Sequence, residues 1–285
     1  MNKINKIVPE KHEFTQITSV IAKPVKSLWF IGKLPKKGPS VAIVGSRKPT
    51  KYGEYVTLKL ASELAARGVI VISGLALGHD ALAARGALNG GGTTVAVVGN
   101  GLNRIHPRTN QNLADEIIAS GGAIISEYEP DYPVHKWSFL ERNRIITALA
   151  DIVVVVEAGA RSGTLNTVVH ALDQNKELMA VPGNITSPLS VGCNRLIQQG
   201  ATPVTCTDDI LERLGISAIN EQDSPILGAD PVQTTIIDLI KQGIVDGDRI
   251  IAEGKISASQ FNQAVTMMEI NGLIRPLGAN RWTIK

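Results

Sequence analysis

Aromatic residues make up only 4% of this chain of 285 residues: four phenylalanines, four tyrosines and three tryptophans. Recognition by stacking many bases on a broad aromatic platform needs more, so binding has to rest chiefly on other contacts. Cysteine is rarer still, with Cys193 and Cys206 alone. They suggest neither a disulfide framework nor a zinc site and read as reduced structural thiols of a cytoplasmic protein. The five histidines (12, 79, 106, 135 and 170) are scattered, without the acid or cysteine spacing that would recruit them. No metal centre and no Ser–His–Asp set is therefore expected. No apolar run approaches the ~20 residues needed to span a bilayer, and the first lysines are not followed by the apolar core of a signal peptide. A Gly-x-x-x-x-Gly-Lys-Ser/Thr loop is missing, which excludes a P-loop ATPase. A nicotinamide site fails as well. The turn from Gly45 to Gly53 lacks Gly-x-Gly-x-x-Gly spacing, and Ile72-Ser73-Gly74 offers no acid for a ribose diol. No cofactor is expected.

The chain instead has 44% apolar residues and 27 glycines, the balance of a globular α/β protein. Its length allows one large and one small domain. The net charge of +3 is unevenly spread. Residues 1–40 hold eight lysines against Glu10 and Glu13, a balance of +6, whereas the stretch from Pro225 onward is neutral. A basic arm on a near-neutral body suits nucleic acid and plain solubility alike.

Short, nearly continuous apolar runs at 41–44, 69–72, 94–98, 152–156 and 178–181, with a weaker one at 123–125, read as strands covered on both faces. Helical patterns lie between them, over 55–67, 80–89, 110–120, 138–150 and 162–175. This alternation predicts right-handed crossovers and a doubly wound parallel sheet. A closing helix is expected at 207–214, and residues 216–230, rich in Ser, Asp, Gly and Pro, read as a linker. Helices at 234–241 and 258–270, the second closed by Asn271-Gly272, precede two strands around Gly278-Ala279-Asn280. Helices and a hairpin in ~60 residues suggest a winged-helix-like module. The stretch Ser257–Ile270 contains no Lys or Arg, so packing or protein contact fits that module as well as DNA reading. The expected organisation is a basic N-terminal extension over 1–40, the sheet domain over 41–215, the linker over 216–230 and the small domain over 231–285.

Three donor clusters stand out. Val41-Ala42-Ile43-Val44 ends in Gly45, Ser46 and Arg47 at a strand's carboxyl end, where an open α/β sheet makes its ligand crevice. The hydroxyl and guanidinium suit phosphate oxygens. The second cluster, Lys136 to Arg144, straddles a loop and a helix start. Two helical positions span about 200°, so Arg142 and Arg144 cannot share one face; one should meet the crevice and the other pair elsewhere. Phe139 or Trp137 offers a stacking face, with burial as the plain alternative for each. In the third, Ser162 reads as an N-cap, and Gly163 leaves first-turn N–H groups open to an anion. Glu157, just upstream, is expected to pair with an arginine of this set rather than to catalyse. Three such clusters in one domain suggest a polyanion.

The chain resembles the DNA-processing protein A (DprA/Smf) family. The resemblance runs from about Leu28 to the C-terminus, through Val44–Arg47 with Tyr52-Gly53, Ser73–Ala76, Phe139–Arg144, Glu157-Ala158, Ser162–Leu165, Val181–Gly183 and Asn194–Ile197 with Gly200-Ala201. It implies an extended Rossmann-like domain that binds single-stranded DNA without catalysing a reaction, with a winged-helix tail. It also implies a homodimer that hands the strand to a RecA-type recombinase and displaces single-strand-binding protein during transformation. By matching position, Gly45, Ser46, Arg47, Lys136, Phe139 and Asn166 would line the strand pocket, with Arg142 and Asn143 shaping it. Arg144, Ser162 and Gly163 join the expected site from the donor clusters.

Three features depart from the family pattern. Some 40 residues before the first strong strand are too few for a full sterile-alpha-motif-type domain. Gly78-His79-Asp80 with Ala83-Ala84 stands where the family has Gly-Ile-Asp and a later Ala-His, and His106-Pro107 replaces a tyrosine-proline turn. The rival reading is a phosphoribohydrolase, which carries Pro-Gly-Gly-x-Gly-Thr and a catalytic glutamate close behind. Here Thr164-Leu165-Asn166-Thr167 holds an amide and a hydroxyl instead, which argues for binding without hydrolysis. A nucleotide sensor signalling through the small domain would use the same pocket.

Overall fold

The structure, a computed structural model, describes residues 3–216, 231–270 and 273–284. Two short strands come first, β1 (Asn5–Ile7) and β2 (Leu28–Gly32). Strands and helices then alternate: β3 (Ser40–Val44), α1 (Lys51–Ala66), β4 (Ile70–Ser73), α2 (His79–Asn89), β5 (Thr94–Val98), α3 (Gln111–Ala119), β6 (Ala123–Ser126), α4 (Lys136–Leu149) and β7 (Ile152–Val155). There follow α5 (Thr164–Asp173), β8 (Glu177–Ala180), α6 (Val191–Gln198), β9 (Thr202–Pro203) and α7 (Thr207–Arg213).

These strands form one sheet in the order β1-β2-β6-β5-β4-β3-β7-β8-β9. From β6 to β9 every neighbouring pair is parallel. The order runs outward from β3 in both directions, so the chain doubles back between β3 and β7, whose register sets Val41 beside Ile152 and Val44 beside Val155. This doubly wound sheet is the one expected from the apolar runs.

Alternation along each buried strand feeds two faces. Ala42 and Val44 pack with Ile145, Ile146 and Leu149 of α4, while Val41 and Ile43 pack with Leu60 and Leu64 of α1. Each such valine, leucine or isoleucine contributes about 1.5–3 kcal/mol on burial, and Ile43, Leu64 and Ile72 are fully buried. Helix α1 begins four residues before the apolar pattern does, because the Thr50 side chain caps it by accepting from the Gly53 N–H.

The described part of the expected 1–40 extension, residues 3–40, is not separate from the sheet. β1 pairs antiparallel with β2, and β2 pairs antiparallel with β6, Phe30 opposite Ile125. Leu28 is fully buried and Val25 and Phe14 join the α4-side core, so apolar anchors place this lysine-rich segment on the sheet.

The chain divides between residues 218 and 219 into two compact units. The second holds α8 (Pro231–Lys241), α9 (Gly247–Gly254), α10 (Ala258–Ile270) and a hairpin of β10 (Ile274–Gly278) and β11 (Arg281–Ile284). Its core joins Ile236, Ile237, Ile250, Phe261, Val265 and Met268. Helix α9 is additional to the two helices expected; it starts from the side chain of Asp246, which accepts from the Arg249 N–H. The expected linker beyond residue 216 and the Asn271-Gly272 stop lie outside the described residues. Among the described residues no helix is long and apolar enough to cross a membrane.

Candidate nucleic-acid interface

The carboxyl ends of β3 and β7 face a cleft of about 720 Å³. A crevice belongs there because the loops leaving the two strands run to opposite sides of the sheet. Nine of the eleven residues singled out in the sequence line it: Gly45, Ser46 and Arg47 after β3, Lys136, Phe139, Arg142 and Asn143 on α4, and Ser162 and Gly163 before α5.

The floor is buried and cross-linked. The Ser46 N–H donates to the Glu157 carbonyl (2.9 Å), tying the loops after β3 and β7 together. Beneath them sits His79, fully buried; a Cβ on Gly45 would come within 2.4 Å of its ring, so only glycine fits. His79 Nε2 lies 3.1 Å from Glu157 Oε2, and Nδ1 lies 2.6 Å from Thr57 Oγ1. Glu157 also accepts from the Thr50 N–H (2.9 Å) and hydroxyl (2.5 Å). The expectation that Glu157 pairs with an arginine is therefore corrected: its partners are a histidine and a helix-capping threonine, at 2% exposure. Burial pushes the His79 imidazole below its ordinary value, against the opposing pull of Glu157.

The rim carries the exposed donors. The Arg47 guanidinium lies over the Phe139 ring, 5.6 Å from its centroid. His106 packs on the same ring at 5.5 Å. Lys136 is exposed at the first turn of α4. Ser162 Oγ accepts from the Thr164 N–H at 3.2 Å, so the α5 turn is ordered by its own hydroxyl, with Gly163 in the N-cap position expected for Ser162.

The two arginines separate as their spacing requires. Arg142 is 3% exposed and donates through Nη1 to the Val97 carbonyl, while its Nε has no partner among the described residues. Burial lowers its guanidinium to about 10, and burial raises the neighbouring Asp80 carboxyl despite Arg142. A Cβ on Gly74 would strike both Arg142 Nη1 and Asp80 Oδ2, which places the two groups side by side at the cleft. Arg144 is not brought to the cleft. It is buried and pairs with Glu127 at 2.5 Å on the far side of the helix. Asn166 stands behind the lining, accepting from Asn143 Nδ2 at 3.3 Å.

Sequence reasoning did not place His106, Asp80 and Thr167 on this cleft. Asp80 carried the clearest signal, directly after the Gly74–Gly78 turn; His106 arrives on a loop whose path no local pattern gives.

Comparison with known proteins finds relatives that share sequence and fold with this chain. Protein Smf of Escherichia coli (strain K12) is 47% identical over 174 residues, which cover 61% of this chain and 46% of that protein. DNA processing protein DprA of Bacillus subtilis (strain 168) is 40% identical over 181 residues, 64% of this chain and 61% of that protein. The chain thus spans about half to three fifths of the length of these curated relatives. The solved structure describing the single-stranded DNA binding mode of DNA processing protein A from Helicobacter pylori superposes with a TM-score of 0.65 at 31% identity, covering 75% of this chain and 98% of that one. The family model for DNA recombination-mediator protein A matches residues 5–215, from β1 to the end of the sheet unit, and the chain belongs to that family.

Proposed function

We propose that this protein binds single-stranded DNA in the cleft between β3 and β7 and serves as a recombination mediator without catalysing a reaction. The observation that carries the reading is Arg47 lying over Phe139 at 5.6 Å on the open rim. That arrangement offers a guanidinium for a phosphate and an aromatic face for a base in one step of a strand. Lys136 adds a point charge, and the buried Arg142 stiffens the wall behind. The small unit, three helices and a hairpin, fits a winged helix. On the same reading the protein acts in the cytoplasm as a homodimer, displaces single-strand-binding protein and passes the strand to a RecA-type recombinase in DNA uptake and recombination.

The competing hydrolase reading has one carboxylate on the cleft lining among the described residues, Asp80. It sits beside Arg142 and accepts from the Ala76 N–H, a positioning role for that carboxylate rather than access to a glycosidic carbon. The test is fluorescence anisotropy with labelled single- and double-stranded oligonucleotides across a salt series, with a mononucleotide competitor and an assay for released base. Tight single-strand preference with a steep salt slope and no base release is expected. Equal binding of both forms, or strong competition by mononucleotide, would overturn the reading in favour of a nucleotide sensor; base release would favour the hydrolase.

A further inference from the structure

Three of the chain's seven tyrosines and tryptophans fall within ten residues of one another, at Tyr128, Tyr132 and Trp137. The fold gathers them, with His135, into a closed group of rings on the loop from β6 into α4. Tyr128 and Tyr132 stack at 4.4 Å and 13°, His135 and Trp137 stack at 5.7 Å and 15°, and edge contacts join the two pairs at 6.2 Å and 5.4 Å. Tyr128 anchors the group, half-buried, its hydroxyl donating to Glu141 Oε2 at 3.2 Å. Trp137 is part of this ring group and yet remains 51% exposed. A cluster serving only to pin a loop would bury its largest ring, since that is where most apolar area is gained.

The segment alternates. Val134 and Lys136 line the cleft, while His135 and Trp137 turn to the ring group. The two surfaces are therefore continuous through one stretch of backbone, with Lys136 exposed on the cleft side. We infer that Trp137, held by His135 and Tyr128, is a second base-stacking site, taking a nucleobase of the same single strand next to the one at Phe139, with the intervening phosphates on the Lys136 side. The exposed Glu129 and Asp131 of this loop keep phosphates off its outer side, which leaves the uncharged base as the part of the strand that fits the indole. The inference rests on the cleft being a single-strand site.

The test uses the full chain with thymidine oligonucleotides of about sixteen nucleotides, read by anisotropy and by intrinsic tryptophan emission. Trp137→Ala should weaken binding about 5- to 150-fold, the range for one lost stacked base, with an unchanged salt slope because no phosphate contact is lost. Trp137→Phe should recover most of the affinity while abolishing the quenching that DNA causes in the wild-type protein. Normal affinity and quenching in Trp137→Ala, alongside weakened binding by Phe139→Ala, would overturn the second site and leave the cleft standing. Loss of binding by neither variant would overturn both.

Discussion

His79 Nε2 donates to Glu157 Oε2 across 3.1 Å, both side chains buried beneath Gly45 and Ser46. The neutral ring that burial favours leaves Nδ1 to accept from the Thr57 hydroxyl at 2.6 Å. A second proton on Nδ1 would turn that hydroxyl to the Gly53 carbonyl, 2.7 Å away. His79→Ala removes a partner from both neighbours and opens a cavity, an expected cost of about 1–3 kcal/mol for the unpaired groups, with the cavity added. The imidazole is held below its ordinary 6.5 in the fold, so unfolded chains take up its proton first. Its contribution to stability is whole above about 6.5 and is lost as pH falls through the lowered folded value. Thermal unfolding from pH 8 to pH 5 should show the gap between wild type and His79→Ala narrowing below pH 6.5; a constant gap would show that His79 keeps its solution affinity for protons.

Arg47 and Phe139 predict two separable losses. Arg47→Ala should weaken single-strand binding and reduce the salt slope by about one. Phe139→Ala should cost about 1–3 kcal/mol of binding with the slope intact, and Phe139→Trp should restore it. Anisotropy at four or more salt concentrations distinguishes them; an Arg47→Ala slope equal to wild type would remove Arg47 from the phosphate contact.

Arg144 tests the opposite case. With 4% exposure and an ion pair to Glu127, it supports α4 rather than the ligand. Arg144→Ala should lower the unfolding midpoint, with a stability loss below the about 3–5 kcal/mol of a fully buried pair because the Glu127 side chain is 21% exposed. The salt slope of the folded protein should not move; a slope reduced by one would return Arg144 to the interface.

A chain ended after residue 216 should bind single strands as the whole chain does. The cleft lining falls entirely between Val44 and Thr167, and Ser257–Ile270 brings no basic residue. Weaker binding with a shallower slope would give the small unit a phosphate contact of its own.

The central strands were legible because they are buried on both faces and so carry unbroken β-branched runs, as in Ile152-Val153-Val154-Val155. β1 and β2 were not. Trp29 and Phe30 sit on an outer antiparallel strand, half-buried among lysines, where composition suggests a basic arm. Helix α9 hides between glycines with Ile250 as its one fully buried side chain. In the site, residues that follow strand ends directly could be read, since topology alone brings β3 and β7 together. The division of labour between Arg142 and Arg144 needed the helix phase, and the partner of Glu157 needed the fold, because His79 lies 78 residues away.

The sheet's two margins differ from its middle in how little backbone they leave open to a second strand. One ends in β1, three residues long, and the other in β9, only two residues long and including Pro203, which has no N–H to offer. Among the described residues, neither margin presents a long row of free backbone donors and acceptors for a second chain to extend. Two copies that associated through this unit would then rely chiefly on side chains of its helices and loops. Their pairing is then tunable by single surface substitutions, with the sheet register untouched.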